Sequence, residues 1–135
     1  MRITHEADYA IRLVYALMTD PLPPVPASRL SEQAGLTIRF ALKILRKLSQ
    51  AGIVTAQKGA TGGYALAVAP EELTLGHVIE CIDGPIRLNH CLADDYICSR
   101  VTDKSGCRFH QVFDQLNAKL KQELYRIDFS NFQND

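Results

Sequence analysis

Residues 27–50, ASRLSEQAGLTIRFALKILRKLSQ, decide the fold of this 135-residue chain. Gly35 predicts the end of a short helix over about residues 27–34, because glycine readily adopts the left-handed conformation that terminates helices. Thr37 can cap a second helix, which continues until Gly52 stops it. Two helices joined by a tight glycine-containing turn, the second of them basic, indicate a helix-turn-helix. The positions expected on the buried face of the second helix are Ile38, Ala41, Leu42, Leu45 and Leu48.

The segments on either side extend this pattern to a winged helix. A helix over about residues 4–19 is expected upstream, capped by Thr4. The prolines of DPLPPVP (20–26) predict an extended link, because proline cannot continue a helix. Downstream, short strands over about 53–56 and 64–68 flank the glycine-rich QKGATGG, which predicts a β-hairpin with a long tip, the wing. A phosphate-binding loop of the Walker type is excluded, because it requires Lys-Ser/Thr after the last glycine and then a helix.

The C-terminal half combines an irregular segment with a long helix. A short helix from Leu75 should end at Gly84, and the next twenty or so residues (86–106) show no periodicity, which is typical of a functional loop. The last helix carries an apolar stripe too long for a small domain to bury alone, so we infer a homodimer. The tail after Asp128 is expected to be frayed. The stripe comprises Phe109, Val112, Phe113, Leu116, Leu120, Leu124 and Ile127.

The predicted fold is therefore mainly α with a small β-hairpin (α+β). It consists of a winged helix-turn-helix over residues 1–84, a cysteine loop over 85–107 and a long C-terminal dimerisation helix over 108–130. No apolar run reaches the length of a membrane span, and the N-terminus lacks the apolar stretch of a signal peptide. We therefore expect a cytoplasmic protein without a membrane partner.

Charge is unevenly distributed along the chain, although the net charge is zero. Between Ser28 and Lys58, six basic residues oppose only Glu32, which leaves this segment at +5. Such a local excess is either a solvated helix face or the footprint of nucleic-acid binding. Arg39 and Lys43, one turn apart on the second helix, are predicted to contact base edges or phosphates.

Five further residues are candidate DNA contacts. Thr37 lies at a helix N-terminus, where it either binds a phosphate or only caps the helix. Phe40 either touches a thymine methyl group or packs beneath the helix. The remaining candidates are Lys47, Lys58 in the wing and Arg2.

Three of the four cysteines follow the spacing Cys91-x6-Cys98-x8-Cys107. Clustered thiols in a reducing compartment point to metal or redox chemistry rather than to disulfides. Thiolates are soft ligands for zinc, copper(I) or iron–sulfur clusters, and zinc is disfavoured because no close C-x2-4-C pair is present. An iron–sulfur cluster, zinc and free thiols all remain open from spacing alone. Cys81, within the short helix, is expected to be a core or interface residue.

These features in this order resemble the Rrf2 family of winged-helix regulators, which includes IscR-like and NsrR-like cluster regulators. The resemblance covers nearly the whole chain. It is carried by MRITHEADYAIR (1–12), FALKILRKLSQAGIV (40–54), KGATGGYAL (58–66), LGHVIECIDGP (75–85) and the three-cysteine loop.

The resemblance implies a DNA-binding transcription regulator, expected to be a repressor, that binds palindromic double-stranded DNA as a homodimer. It also implies an iron–sulfur cluster on Cys91, Cys98 and Cys107. His110 matches the position that completes a [2Fe–2S] site in IscR-like members, and Asp8 matches the carboxylate of [4Fe–4S] NsrR-like members. Other members lack the cysteines, so a cluster-free, thiol-based regulator is the alternative. An enzyme is not expected, because no nucleophile-elbow or H-E-x-x-H motif is present.

Overall fold

The computed structural model describes residues 2–133 and confirms the predicted class, with five helices and one antiparallel hairpin in that range. The elements are α1 (His5–Thr19), α2 (Ala27–Ala34), α3 (Ile38–Gln50), β1 (Val54–Gln57), β2 (Gly63–Leu66), α4 (Leu75–Asp83) and α5 (Arg108–Arg126). Short 3₁₀ turns lie at Pro70–Glu72, His90–Leu92, Lys104–Gly106 and Phe129–Phe132. No helix of the described chain is long and apolar enough to cross a membrane.

The first three helices form the predicted helix-turn-helix core. The hydroxyl of Thr4 accepts a hydrogen bond from the Ala7 amide at 3.1 Å and caps α1. Gly35, with φ of 75°, ends α2 in the left-handed conformation, and the hydroxyl of Thr37 caps α3 by accepting from the Phe40 amide at 3.2 Å. The helices enclose one core, whose fully buried members from α1, α2 and α3 are Ala10, Leu13, Val14, Leu30, Ala41, Ile44, Leu45 and Leu48.

The prediction of the buried face of α3 was wrong for Ile38 and Leu42, and it missed Ile44. Ile44 is fully buried, whereas Ile38 and Leu42 are 48% and 43% exposed. The core positions Ala41, Ile44, Leu45 and Leu48 follow the i, i+3, i+4, i+7 spacing of a single helical stripe. Ile38 and Leu42 fall outside that stripe and lie on its exposed flank, between the core residues and the basic side chains.

The hairpin that forms the wing is tied to the proline-rich link. Strands β1 and β2 pair from Val54 opposite Leu66 to Gln57 opposite Gly63. Val25 and Tyr64 exchange two backbone hydrogen bonds of 2.8 Å each, so the link borders the hairpin as a third extended segment. A Cβ atom on Gly63 would lie 2.5 Å from the backbone of Val25, which explains a glycine at this position.

Residues 127–132 are packed, which corrects the expectation of a frayed tail after Asp128 as far as residue 133. Phe129 is 1% exposed and lies in the hydrophobic core. The Leu75 amide donates to the Ile127 carbonyl, and the Phe129 amide donates to the Leu73 carbonyl, both at 2.9 Å. These bonds anchor the C-terminal end of α5 beside the start of α4. A short segment with one buried aromatic has too few residues to show a helical or strand period.

We expect Phe129→Ala to lower the free energy of unfolding by about 3–5 kcal/mol, because it leaves a cavity in the core. Chemical denaturation followed by circular dichroism measures the effect. The control is Leu22→Ala, whose side chain is 69% exposed and whose loss should change stability by less than about 0.5 kcal/mol. A loss for Phe129→Ala no larger than the control would contradict the packed tail.

A largely buried ion pair joins α1 to α2. Asp20, which ends α1, has a side chain only 1% exposed. It accepts from Arg29 through Nε at 2.9 Å and Nη2 at 2.7 Å. These hydrogen bonds and the Leu22 amide lower the pKa of Asp20 to about 2. Arg29 therefore supports the fold and adds little to the basic surface inferred from the sequence.

The ion pair should make stability depend on acid pH. An unfolded aspartate titrates near about pH 3.9, so the pair contributes its full stability above that pH and loses it as pH falls toward about 2. Asp20→Asn should therefore melt at a lower temperature than the parent protein near neutral pH, with the difference shrinking toward pH 2. Asp114→Asn on the exposed side of α5 is the matched control. A melting difference for Asp20→Asn that is independent of pH would exclude this role.

Candidate nucleic-acid interface and thiol site

The outward face of α3 is basic. Arg39, Lys43 and Arg46 are all exposed there and line a shallow groove of about 800 Å³ that runs along the helix. Within residues 2–133, neither Arg39 nor Arg46 forms an ion pair. Arg46 was missed as a candidate contact, although its position seven residues after Arg39 places both on one helical face. Arg39 and Arg46 can therefore meet a polyanion without first breaking an ion pair of the described chain.

Two lysines of α3 face a carboxylate of α1. The Nζ atom of Lys47 lies 2.7 Å from Oε1 of Glu6, and that of Lys43 lies 3.9 Å from the same oxygen. Lys47 is therefore paired within the chain, while Lys43 keeps 59% of its side chain exposed. No local pattern in the sequence indicates Glu6 at this place, because the contact joins two helices far apart in the chain.

The other predicted DNA contacts are spread over three elements. Phe40 is half-buried and packs edge-to-face on Tyr9, with ring centroids 5.5 Å apart. Thr37 is exposed at the start of α3 and caps it. Lys58 lies exposed in the tip of the wing, and Arg2 lies exposed just before α1. Arg39, Lys43, Lys47, Phe40 and Thr37 thus share one helix and its cap, whereas Lys58 and Arg2 are on separate segments.

Arg100 organises two of the three loop cysteines. Its amide donates to Sγ of Cys98 at 3.4 Å, and its guanidinium Nη2 donates to Sγ of Cys107 at 2.9 Å. The amides of Arg100 and Val101 lower the pKa of Cys98. The His110 amide, together with the Arg100 side chain, lowers the pKa of Cys107. Arg100 was not predicted from the sequence, where its position two residues after Cys98 is the only signal for this role.

The third cysteine faces the predicted histidine. Nδ1 of His110 and Sγ of Cys91 lie 3.3 Å apart, and the side-chain amide of Asn89 donates to the same sulfur at 3.4 Å. His110 is in the first turn of α5 and Cys91 in the 3₁₀ turn of the loop. The contact therefore brings together two of the predicted metal ligands from segments nineteen residues apart.

The predicted ligands suit an iron–sulfur cluster in their chemistry but do not all converge in one chain. Thiolates and imidazole are ligands that iron–sulfur sites use. In the part of the chain from 2 to 133, no three histidine, cysteine, aspartate or glutamate side chains form a group ready to hold a metal ion. Asp8 lies on α1 and forms an ion pair of 3.0 Å with Arg12. Ligation would have to replace the hydrogen bonds that Arg100 and His110 make to the thiols.

The loop is joined to both neighbouring helices by hydrogen bonds. Asn117 of α5 accepts from the Leu88 amide and donates to the Ile86 carbonyl, both at 2.8 Å. Glu80 of α4 accepts from the Ile86 amide at 2.8 Å and from the hydroxyl of Tyr125 on α5. A change in the loop therefore acts on α4 and α5 together.

Cys81 is separate from the loop thiols. Its side chain is half-buried, packs against the core and donates from Sγ to the Lys47 carbonyl at 3.7 Å. Burial raises the pKa of this thiol. Its packing is that of the core cysteine predicted from the sequence.

Comparisons with known proteins agree on the family of this chain. The model of the family Rrf2, described as "Iron-dependent Transcriptional regulator", matches residues 3–135. An HTH-type transcriptional regulator of Rhodobacter capsulatus, described as rrf2-like, is 29% identical over 120 residues, which are 84% of this chain and 80% of the relative. The HTH-type transcriptional regulator IscR of Aliivibrio salmonicida is 26% identical over 136 residues, covering all of this chain and 79% of IscR.

A solved structure with the same fold is CymR (YrzC), the global cysteine regulator of B. subtilis. It superposes with a TM-score of 0.78 at 18% identity and covers 99% of this chain and 97% of its own. The matched proteins are transcription regulators and not enzymes.

The Glu6 contact generates a prediction about the basic face. Glu6→Gln should remove the ion pairs that Glu6 makes with Lys47 and Lys43. The affinity for nonspecific duplex DNA should therefore rise. The slope of log affinity against log salt should steepen by about one unit per protomer, because one more phosphate is neutralised. A salt titration by fluorescence anisotropy measures both changes.

Glu123→Gln is the matched control, because Glu123 is an exposed acid on α5 that is paired with Arg126. It changes the net charge equally but leaves α3 untouched. Equal effects of the two substitutions would mean that only net charge matters and would remove Glu6 from this role.

Proposed function

Because the chain belongs to the Rrf2 family of transcriptional regulators, we propose that it binds palindromic operator DNA as a homodimer under the control of an iron–sulfur cluster. The carrying observation is that two thiols around Arg100 and a third beside His110 lie at the start of α5, in a loop bonded to α4 and α5.

The DNA contacts come from α3 and the wing. A helix fits the major groove, where arginine can bind guanine through two hydrogen bonds and lysine more often meets phosphate. Arg39 and Lys43 take these two roles on the exposed face of α3, with Thr37 near a phosphate at its N-terminus. Lys58 contacts the backbone or the adjacent groove from the wing, and Arg2 adds a phosphate contact. Lys47 can contact a phosphate only after its ion pair with Glu6 breaks.

The second copy covers the apolar stripe of α5. Phe109, Val112 and Leu116 are 67%, 52% and 47% exposed, and no described residue of α5 is buried. A row of large apolar side chains on a charged helix is expected at an interface, and a two-fold pair buries the same stripe on both copies. Such a pair presents two α3 helices to half-sites about 34–36 Å apart.

Cys91, Cys98 and Cys107 are the proposed cluster ligands, with His110 or Asp8 as the fourth. The contact between His110 and Cys91 supports His110, whereas Asp8 pairs with Arg12 on its own helix. A bound cluster would supply chemistry that responds to iron supply, oxygen or nitric oxide. The chain itself transmits the state of the loop through Asn117 to α5 and through Glu80 to α4, and α4 packs against α1 and α3 of the DNA-binding core. Regulation then requires different DNA affinities of the two states.

A thiol switch without a cluster is the second candidate. It is favoured by the lowered pKa values of Cys98 and Cys107, because a thiolate is the reactive form of cysteine. The structural neighbour CymR is described as a cysteine regulator. In this candidate the same loop changes DNA affinity through oxidation of its thiols.

Anaerobic purification distinguishes the two candidates. We expect a coloured protein with stoichiometric iron and acid-labile sulfide, and loss of both in Cys91→Ala, Cys98→Ala and Cys107→Ala. Cys81→Ala is the matched control and should keep the cluster. Removal of the cluster should change affinity for an operator duplex at least about fivefold.

His110→Ala and Asp8→Asn, examined by visible spectroscopy, identify the fourth ligand. Identical DNA affinities of the intact and cluster-free protein would defeat the control by a cluster. A colourless protein whose DNA affinity changes reversibly with a thiol oxidant would establish the second candidate.

A further inference from the structure

Two branched apolar side chains are about half exposed on the flank of α3 that borders its basic face. Ile38 and Leu42 are 48% and 43% exposed, and their four-residue spacing makes them neighbours on the helix. The core-facing stripe is complete without them, because Ala41, Ile44, Leu45 and Leu48 are each fully buried. Neither side chain is therefore needed to complete the hydrophobic core of the described residues.

The surroundings of these side chains are cationic. Arg39 follows Ile38, Lys43 follows Leu42, and Arg46 lies one turn further along the same face. Leu42 and the three cations line the groove along α3, together with Thr37. An occupant of this surface must therefore carry negative charge over most of its extent and offer an apolar group between the charges.

Duplex DNA meets both requirements in its major groove. The phosphates flank the groove, and the C5-methyl group of thymine is the apolar feature that the base edges display there. We propose that Leu42 and Ile38 contact thymine methyl groups and so determine specificity for A·T pairs within each half-site. This inference rests on the proposed insertion of α3 into the major groove.

Phe40 is less suited to this role than its neighbours. Its half-buried ring packs on Tyr9 at 5.5 Å, and the ammonium of Lys43 lies 5.7 Å from the ring centroid. Leu42 and Ile38 carry no ring to be held in this way, and both are about half exposed. The apolar base contacts are therefore assigned to Leu42 and Ile38 and not to Phe40.

Replacing thymine with uracil tests the inference, because it removes the methyl group and leaves the hydrogen-bonding edge intact. A palindromic duplex is first selected from a random pool with the full-length protein. Each thymine of the half-site is then replaced in turn, symmetrically in both half-sites. We expect affinity to fall about fourfold per half-site at one or two positions, the value of one buried methyl-sized group.

Protein variants assign each position. Leu42→Ala should bind the thymine and uracil duplexes equally at one position, and Ile38→Ala should do so at the other. Leu22→Ala removes an exposed leucine from the proline-rich link and should keep the full discrimination. Circular dichroism of each variant verifies that it is folded before binding is compared.

Several outcomes overturn the inference. Equal affinity of the original protein for thymine and uracil duplexes at every position would exclude methyl contacts. Discrimination that survives in both Leu42→Ala and Ile38→Ala would assign the contacts to other residues. A change of oligomeric state in these variants, with discrimination retained, would make the surface an interface between copies of the chain. If no duplex is selected above background, the proposed DNA reading by α3 itself fails.

Discussion

The burial of one apolar stripe of α3 against α1 is the interaction on which the rest of the molecule depends. That stripe consists of Ala41, Ile44, Leu45 and Leu48. Because a helix that buries one stripe exposes its opposite face, the other side of α3 is in contact with solvent. Arg39, Lys43 and Arg46 are exposed for this reason, as are Ile38 and Leu42. The same packing brings Glu6 of α1 beside Lys47 of α3. Helix α1 therefore supports α3 and also neutralises part of the positive charge on the basic face of α3.

The second half of the chain is built around a different constraint. The cysteine loop contributes little to the apolar core, and side-chain hydrogen bonds fix its position instead. Arg100 holds two thiols, His110 faces the third, and Asn117 joins the loop backbone to α5. The bonds of Arg100 and His110 depend on the protonation and ligation of the sulfur atoms, unlike the apolar contacts of α3. The packing of the helix-turn-helix does not involve these thiols, and the proposed sensing by the loop requires this separation.

The sequence predicted the elements well and the site only in part. Thr37, Gly35 and the glycine-rich wing act through local backbone chemistry, so the helix ends and the hairpin could be recognised from neighbouring residues. The error at Ile38 and Leu42 arose because two overlapping helical stripes fit the same apolar residues, and only packing against α1 selects one. The contacts of Glu6, Arg100 and Asn117 join segments far apart in the chain or depend on loop geometry, and no local pattern encodes them. Phe129 was missed for a related reason, since a single aromatic has no period.

The packed tail has a mechanical consequence for α5. This helix is bonded near its middle to the loop through Asn117, and it ends where Phe129 enters the core and the backbone pairs with residues 73–75. A helix attached at its middle and at its C-terminal end cannot swing outward about a single joint, and exchanging it with a partner would require the core to open. Rotation about its own axis, or a slide by a fraction of a turn, requires only small changes at these attachments. In the proposed homodimer, small twists of this kind in both copies would alter the angle between the domains while leaving each domain intact.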